Sequence, residues 1–218
     1  MNLKAVLFDL DGTLIYTLQD LADCTNHILK NHNFPSCTVK QVEGYVGNGI
    51  KKLIERAVPK GTSDNIIDIC YEEMLIYYNK HSLDKTKPYD GILGFIDTLK
   101  NSGLKLAVIT NKAEDSAEKI VHHFFGDKFD LIVGDNKKDK LKPAPDNVYR
   151  AVKHFGLSLE EVMYVGDSFV DVETGFNSKV DMATVLWGYN DKETLLKHNA
   201  INLVATTKEL EEYIFSKI

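Results

Sequence analysis

The chain has 218 residues, of which 44% are hydrophobic and 27% charged, and its formal net charge at pH 7 is −6. This length suits one ordinary domain with a smaller inserted one, and the composition predicts a packed core rather than disorder. The negative charge argues against a nucleic-acid-binding surface, which is usually basic. No apolar run approaches the roughly 18 residues that span a bilayer. Three cysteines without a CxxC pair, and a start without a secretory leader, lead us to expect reduced thiols in the cytoplasm.

The predicted elements fall into two groups. Residues 4–9 form an apolar strand, and residues 17–80 then show helical patterns and no convincing strand. The expected helices of this second stretch are 18–31, 39–45, 50–58 and 64–79. After a turn at 88–91, a helix at 92–101 leads into alternating strands and helices. The expected strands are 104–110, 129–133, 162–165, 180–186 and 201–204, and the expected helices are 113–125, 145–155 and 170–177.

Strands that alternate with helices predict βαβ units and an α/β fold, here a doubly wound, mostly parallel sheet with helices on both faces. The all-helical block interrupts this alternation directly after the first strand, so we interpret it as an inserted domain. The expected division is an α/β core domain at 1–16 and 82–218 and a helical domain at 17–81.

Polar side chains gather at the predicted carboxyl ends of the strands and in one loop. Ligands of open α/β sheets bind at this edge, beyond the ends of the strands. The residues expected there are Asp9, Asp11, Thr110, Asn111, Lys142, Asp167 and Asp171. Taken singly, each has an ordinary structural explanation as a turn former, a helix cap or a surface residue. Their convergence at one edge indicates a functional site.

The chemistry of this set favours phosphate. Four clustered carboxylates repel one another unless a cation joins them, and oxygen ligands without His or Cys suit Mg²⁺. One carboxylate after the first strand can attack phosphorus while the other handles protons. Lys142 adds a positive centre, and Thr110 and Asn111 supply donors to phosphate oxygens. Phosphoryl transfer needs mainly positioning and charge neutralisation, which this set of residues provides.

The same residues resemble the four motifs of the haloacid dehalogenase superfamily, in order and spacing over nearly the whole chain. The motifs are Asp-Leu-Asp-Gly-Thr-Leu at 9–14, Ile-Thr-Asn-Lys at 109–112, Lys-Pro-Ala-Pro-Asp at 142–146 and Val-Gly-Asp-Ser-Phe-Val-Asp at 165–171. The resemblance implies that Asp9 is a nucleophile that forms an aspartyl-phosphate. It implies that Asp11 is the acid that protonates the leaving oxygen and the base that activates water.

The resemblance also implies how phosphate and metal are held. Thr110 would bind phosphate and Lys142 would hold nucleophile and phosphate together, with Gly12 and Asn111 beside the substrate. The implied Mg²⁺ ligands are Asp9, the Asp11 main-chain carbonyl and Asp167, with Asp171 in support. Dehalogenases of the superfamily lack the second aspartate, so Asp11 favours phosphate-ester hydrolysis.

The inserted helical block resembles the type-one cap of this superfamily, which would close over the site and exclude water. Within it, residues 45–57 resemble the cap of the phosphoglycolate-phosphatase-like subgroup, which implies that Gly47 and Asn48 reach the substrate. The alternative is that Gly47 and Gly49 only allow two cap helices to turn.

Two positions depart from the family's pattern. Tyr16-Thr17 stands where members commonly have Asp-Ser or Asp-Thr, which bears on the hinge and on substrate size. Ser178-Lys179 stands where Ala-Gly is usual. A helix that ends there requires Lys179 or Asn177 near left-handed geometry, at some cost.

The expected function is Mg²⁺-dependent hydrolysis of a small phosphate monoester. Phosphoglycolate is the first candidate, and sugar phosphates or nucleotide monophosphates are compatible. The expected partner is this small molecule, with no nucleic acid and no membrane, and the expected state is a monomer or homodimer. Two alternatives stay open: a phosphosugar mutase of the same fold, with Asp9 as phosphoryl relay, and a non-enzymatic phospho-aspartate switch.

Overall fold

The computed structural model describes residues 2–218, which fall into two compact units. One unit runs to Ile15 and resumes at Pro88–Ile218, and the other is Tyr16–Lys87. The elements in chain order are β1 (Ala5–Phe8), β2 (Ile15–Tyr16), α1 (Leu18–Asn31), α2 (Val39–Glu43), α3 (Gly49–Ala57), α4 (Asp64–His81), β3 (Lys87–Pro88), α5 (Ile92–Asn101), β4 (Lys105–Ala113), α6 (Glu114–Phe125), β5 (Leu131–Asp135), α7 (Asp146–Phe155), β6 (Val162–Gly166), α8 (Phe169–Ser178), β7 (Asp181–Val185), α9 (Lys192–Lys197), β8 (Leu203–Val204) and α10 (Thr207–Phe215).

Six parallel strands form the sheet of the first unit, in the order β5-β4-β1-β6-β7-β8. The central strand is β1, where Phe8 pairs with Val108 of β4 on one side and with Val165 of β6 on the other. All four residues of β1 are fully buried, as expected for a central strand of a parallel sheet whose faces are covered by helices. The predicted α/β fold with a doubly wound parallel sheet is confirmed.

The order of the strands creates a switch point at β1. From β4 the sheet continues to β5 on one side, and from β6 it continues to β7 and β8 on the other. In open α/β sheets, the loops that follow the strands diverge on either side of such a point, and ligands bind between them, beyond the carboxyl ends of the strands. The sequence predicts the site at this same carboxyl edge of the sheet.

β4 is longer than the predicted strand 104–110 and runs to Ala113. Its pairing with β5 shifts register between Ile109 and Ala113, and Ala113 pairs with Asp135. Pairing continues beyond this irregularity, so Asn111 and Lys112 lie within the strand rather than after it.

Two helices of the first unit, α9 and α10, were not predicted. Each begins at a side-chain cap: Asp191 accepts a hydrogen bond from the Thr194 N–H, and Thr206 accepts one from the Glu209 N–H. These caps, which satisfy otherwise unpaired N–H groups, were the available signal for two short helices.

The end of α8 has the left-handed residue that the sequence predicts. This residue is Lys179, with φ 59° and ψ 33°.

The second unit consists of α1 to α4 and the segment that follows them. Asp20, in the first turn of α1, is 2% exposed. Its carboxylate accepts hydrogen bonds of 2.8 to 3.0 Å from the N–H groups of Lys85 and Thr86 and from the Thr86 hydroxyl. These bonds tie the end of the unit to α1, and the unit as a whole includes Tyr16 and residues 82–87, which we expected in the core domain.

β2 and β3 pair with each other in a separate two-stranded sheet. Among residues 2–218, no helix has both the length and the hydropathy required to cross a membrane.

Candidate active site

The site begins at three neighbouring strands. Asp9 follows β1, Thr110 lies in β4, and Asp167 follows β6. The Asp9 N–H donates to the Val165 carbonyl at 2.8 Å, which joins the end of β1 to β6. Asp9 is 6% exposed, Thr110 2% and Asp167 1%. The structure thus brings these predicted residues together at the carboxyl edge of the sheet.

Lys142 is the centre of the charged cluster. Its Nζ donates to Asp9 Oδ1 at 2.6 Å, to Asp171 Oδ1 at 2.7 Å and to the hydroxyl of Tyr164 at 3.0 Å. The side chain is 3% exposed, so the ammonium group depends on these three acceptors for all of its hydrogen bonds to the protein. Because a buried charge is tolerated only when paired and hydrogen-bonded, this arrangement stabilises Lys142 in its charged form.

Asp171 accepts four hydrogen bonds. Oδ1 accepts from Lys142 Nζ and from the Tyr164 hydroxyl, the latter at 2.8 Å. Oδ2 accepts from the Ser168 N–H at 3.1 Å and from the Ser168 hydroxyl at 2.6 Å. A carboxylate offers about four lone-pair positions, so the acceptor capacity of Asp171 is largely used within the protein. This contact set favours the supporting part predicted for Asp171 over direct metal ligation.

Asp167 accepts two hydrogen bonds and packs closely against two glycines. Its Oδ1 accepts from the Thr13 hydroxyl at 3.0 Å and its Oδ2 from the Tyr189 N–H at 2.8 Å. A Cβ added at Gly12 would lie 2.4 Å from Asp167 Oδ2, and one at Gly188 would lie 2.2 Å from the Asp167 Cβ. Gly12, with φ +99°, thus makes room for Asp167 at the position where we predicted a substrate contact.

Asp11 pairs with a second lysine. Lys112 Nζ donates to Asp11 Oδ1 at 2.9 Å, and the two side chains are 4% and 13% exposed. The Thr110 hydroxyl accepts from the Lys112 N–H at 3.2 Å. The Thr110 side chain therefore helps to fix the backbone of Lys112, whose ammonium group reaches Asp11.

Asn111 bonds to the backbone of Lys142 in both directions. Its amide nitrogen donates to the Lys142 carbonyl at 3.0 Å, and its amide oxygen accepts from the Lys142 N–H at 2.8 Å. The side chain thus ties β4 to the loop that carries Lys142. These two bonds hold that loop, whereas we had predicted a contact of Asn111 with phosphate.

Burial and charge shift the acidity of the whole cluster. Burial, together with the charges of Asp171 and Asp11, raises the pKa of Asp9 to about 7 although Lys142 opposes the rise. Burial and the charges of Asp171 and Asp9 raise the pKa of Asp167 well above its usual value. Burial acts in the same sense on Asp171, but the charge and hydrogen bonds of Lys142 outweigh it and lower that pKa. Without a further positive charge, Asp9 and Asp167 are thus poorly stabilised as carboxylates.

The donor set fits a hard divalent cation. One carboxylate oxygen from each of Asp9, Asp167 and Asp171 lies within 4.8 Å of the others, so Asp171 adds negative charge beside the two carboxylates that would hold the ion. When ionised, the four carboxylates, including that of Asp11, face two ammonium groups, those of Lys112 and Lys142, which leaves a formal charge of −2. A single divalent ion balances this charge, and an all-oxygen set suits Mg²⁺ rather than a softer metal.

The two predicted substrate residues of the helical unit lie in the loop before α3. Gly47 has φ +111° and Gly49 has φ +83°. The guanidinium of Arg56 donates to the Asn48 side-chain oxygen at 2.9 Å and to the Tyr45 carbonyl at 2.8 Å. Arg56, which we did not single out, therefore braces this loop, and both glycines adopt conformations that favour glycine.

Several residues of the site were missed by sequence reasoning. Lys112 lies inside the second motif, so its position was available as a signal. Ser168 lies inside the fourth motif and the Thr13 hydroxyl inside the first. Tyr164 and Gly188 carried no recognisable signal, because their roles depend on contacts with side chains distant in sequence.

The fold and the site define a doubly wound α/β protein with a buried carboxylate and lysine centre at the carboxyl edge of its sheet. Residues 6–185 match the model of the haloacid dehalogenase-like hydrolase family. The chain belongs to this family, and the resemblance drawn from the four motifs is confirmed.

Alignments with two named phosphatases span most of the chain. The phosphoglycolate phosphatase of Aquifex aeolicus (strain VF5) is 34% identical over 192 residues, which is 86% of each chain. The N-acetylmuramic acid 6-phosphate phosphatase of Pseudomonas aeruginosa is 29% identical over 190 residues, covering 87% of this chain and 84% of its own.

Two crystal structures of predicted phosphoglycolate phosphatases share the fold. That from Lactobacillus delbrueckii subsp. bulgaricus has a TM-score of 0.93 at 30% identity and covers 98% of this chain and 99% of its own. That from Haemophilus somnus 129pt has a TM-score of 0.91 at 26% identity, with 98% of each chain covered.

Proposed function

We propose that this protein is a phosphatase that hydrolyses a small phosphate monoester through an aspartyl-phosphate on Asp9. The observation that carries the proposal is the Asp9 carboxylate, bound by Lys142 at 2.6 Å at the end of the central strand, with Asp11 two residues further on. A carboxylate held beside a buried cation is a suitable nucleophile for phosphorus. The names of the relatives from Aquifex and Pseudomonas support phosphatase activity.

The reaction follows in two displacements. An oxygen of the Asp9 carboxylate forms a bond to phosphorus as the ester bond from phosphorus to oxygen breaks, and Asp11 gives its proton to the leaving alcohol. Water then attacks the phosphorus of the aspartyl-phosphate while Asp11 takes a proton from it. The bond to Asp9 breaks, and inorganic phosphate is released with Asp9 regenerated.

Charge neutralisation is the main task of the remaining residues. Lys142 holds the nucleophile and would contact the transferring phosphoryl group, and the Thr110 hydroxyl would donate to one of its oxygens. Mg²⁺ would be held by Asp9, the Asp11 carbonyl and Asp167, and when bound it would offset the negative charge of carboxylates and phosphate. Asp171 would support the site by holding Lys142, since it already accepts four hydrogen bonds.

The helical unit is proposed to act as a cap that selects the substrate. The sequence suggests residues 17–81 for this cap, which lie within the compact helical unit Tyr16–Lys87, and we place Gly47 and Asn48 at the leaving group. Phosphoglycolate is the first candidate substrate because it is the named substrate of several relatives. We also propose a cytoplasmic location, which is supported by Cys24, Cys37 and Cys70 all being free thiols.

The test is phosphate release from a panel of esters, measured with Mg²⁺ and with EDTA. The panel contains phosphoglycolate, N-acetylmuramic acid 6-phosphate, other sugar phosphates and nucleotide monophosphates. Metal-dependent release with phosphoglycolate far ahead would support the full proposal, and even release across the panel would remove the substrate assignment alone. Absence of release from every ester would contradict the proposal, and turnover that requires a bisphosphate activator would favour the mutase.

Substitution of the nucleophile tests the mechanism. We expect Asp9→Asn to lower kcat by at least about 10³-fold, because removing a covalent nucleophile removes the pathway itself. The folded structure should persist, since Asn is isosteric with Asp and can still accept from Lys142. Phosphate release and the far-ultraviolet circular dichroism spectrum are the measurements. A correctly folded Asp9→Asn variant with wild-type turnover would exclude the covalent mechanism.

A further inference from the structure

Tyr164 is a buried tyrosine whose hydroxyl enters the charged cluster. It lies in β6, is 0% exposed, and its ring belongs to the hydrophobic core of the sheet with Leu7, Ile109 and Met182. Its hydroxyl lies 3.0 Å from Lys142 Nζ and 2.8 Å from Asp171 Oδ1. The side chain therefore connects the apolar core to two charges of the site.

The direction of each hydrogen bond follows from the chemistry of the three groups. An ammonium can only donate and an ionised carboxylate can only accept, so the hydroxyl accepts from Lys142 and donates to Asp171. Lys142 also donates directly to Asp171 Oδ1 at 2.7 Å. The three groups thus form a closed ring of hydrogen bonds, and the remaining ammonium proton is directed to Asp9 at 2.6 Å.

We propose that Tyr164 is a positioning residue that fixes the Lys142 ammonium group on the Asp9 nucleophile. The proposal rests on the proposed function for its effect on turnover. The lysine side chain is a flexible stem with a compact charge and three equivalent donors. Its orientation is set only by the acceptors around it, and Tyr164 is the acceptor that is anchored in the core through its ring. Asp9 and Asp171, in contrast, are carboxylates, and their interaction with the ammonium group depends on the charge of any metal ion or phosphate bound beside them.

Tyr164→Phe removes this anchor and little else. The ring and its packing remain, while one ammonium proton loses its buried acceptor and Asp171 loses one donor. An unsatisfied buried donor is costly, so the ammonium group should reorient or admit water and no longer hold Asp9 in a single geometry. Since small misplacements of reacting groups have large effects on rate, we expect kcat to fall about 10- to 100-fold with KM within about threefold.

The chain offers a matched control in a second lysine, tyrosine and aspartate trio. The Tyr213 hydroxyl lies 3.5 Å from the carboxylate oxygens of Asp181, and Lys217 Nζ lies 3.5 Å from Asp181 Oδ2. Asp181 begins β7, so this trio is at the opposite edge of the sheet from the site. Tyr213→Phe removes the same hydroxyl from the same kind of trio and should leave kcat unchanged.

A spectroscopic measurement tests the positioning without any turnover. In ¹H–¹⁵N spectra the buried, fully bonded Lys142 ammonium group should give a slowly exchanging signal near neutral pH, assigned by its loss in Lys142→Arg. In Tyr164→Phe we expect that signal to exchange with water at least about tenfold faster, as a buried group does when it loses an acceptor. The ammonium signal of Lys112, paired with Asp11, serves as the internal reference.

The outcomes separate this inference from the proposed function. Faster exchange at Lys142 together with a lower kcat would support the positioning role. An unchanged Lys142 signal, or a changed signal with wild-type kcat, would overturn it. If the wild-type protein hydrolyses no ester, the proposed function fails, and the exchange measurement alone decides whether Tyr164 holds Lys142.

Discussion

The Asp9 carboxyl group ionises at a higher pH in the folded chain than in the unfolded one. Its pKa is about 7 when folded, mainly because of burial, against an ordinary value of 3.8. Between these values the folded state holds a proton that the unfolded state has released. The free energy of unfolding of the metal-free protein should therefore fall as the pH rises from about 4 to about 7, by a few kcal/mol at most.

The measurement is urea unfolding in EDTA, followed by the fluorescence of Trp187, the only tryptophan. The difference between wild type and Asp9→Asn isolates the contribution of this carboxyl group. The pKa of Glu161 is lowered to about 2, and that of Asp130 is lowered as well. These two groups make the free energy of unfolding rise with pH, but only below pH about 4.5. Added Mg²⁺ should restore stability most at the upper end of the window. A metal-free stability that rises between pH 4 and 7, relative to Asp9→Asn, would contradict the burial argument.

Asp11 is expected to serve proton transfer and to contribute to metal binding only through its main chain. Asp11→Asn should therefore lower kcat by about 10²-fold or more, the usual size of general acid and base effects. Its Mg²⁺ affinity should stay close to that of the wild type, because the backbone carbonyl remains and the Asn oxygen can still accept from Lys112. Calorimetric titration with Mg²⁺ measures this affinity. A large loss of affinity would place the Asp11 side chain itself in the metal site.

The ends of α7 and α8 provide a matched pair of left-handed residues. Gly156 has φ 66° and ψ 32° after α7, and Lys179 has φ 59° and ψ 33° after α8. A non-glycine residue is strained in this conformation because of its Cβ, whereas glycine is not. The Lys179 side chain is exposed, so its loss should remove little packing.

Lys179→Gly should therefore stabilise the protein by about 0.5–1 kcal/mol, a strain relief partly offset by the greater freedom of glycine in the unfolded chain. Gly156→Ala should destabilise it by about 1 kcal/mol. A Cβ at position 156 would meet no atom within 4 Å, so its cost is that of the backbone alone. Midpoints of urea unfolding test both variants. A less stable Lys179→Gly would indicate that the lysine side chain has a stabilising contact.

At the scale of the whole molecule, all charged residues of the site belong to one unit. Asp9 and Asp11 precede Ile15, and the remaining members follow Pro88, where the chain returns to that unit. The later members are Lys112, Lys142, Asp167 and Asp171. We therefore expect that replacing residues 16–87 by a short glycine linker leaves a folded protein that still binds Mg²⁺.

The same deletion should abolish discrimination among phosphate esters, because the proposed cap is the part removed. Trp187, whose indole nitrogen donates to the Thr13 carbonyl at 3.0 Å, reports on both fold and site by its fluorescence. The full-length protein is the control for Mg²⁺ titration and for the ester panel. A deletion variant that keeps the wild-type order of preference would show that selectivity resides in the α/β unit.

The sequence alone predicted the α/β fold, the parallel sheet and the edge of the sheet at which the candidate site residues meet. It could do so because buried parallel strands are continuous apolar runs and because their carboxyl ends meet at one edge of a sheet. Asp9 and Asp167 each follow such a strand, and Thr110 lies in the carboxyl-terminal half of β4, so their convergence followed from topology. The short helices α9 and α10 and the two-residue strands β2 and β3 carried too little periodicity to be predicted.

The tertiary structure decided which partner each charge has. Lys142 meets Asp9 across 133 residues of chain and Tyr164 across 22, and Lys112 meets Asp11 across 101. No local pattern encodes these pairs, because a hydrogen bond depends on the distance between two atoms and burial depends on every neighbouring element. The sequence therefore determined which chemical groups stand at the edge of the sheet, and packing alone decided that Lys142 is held between Asp9, Asp171 and Tyr164.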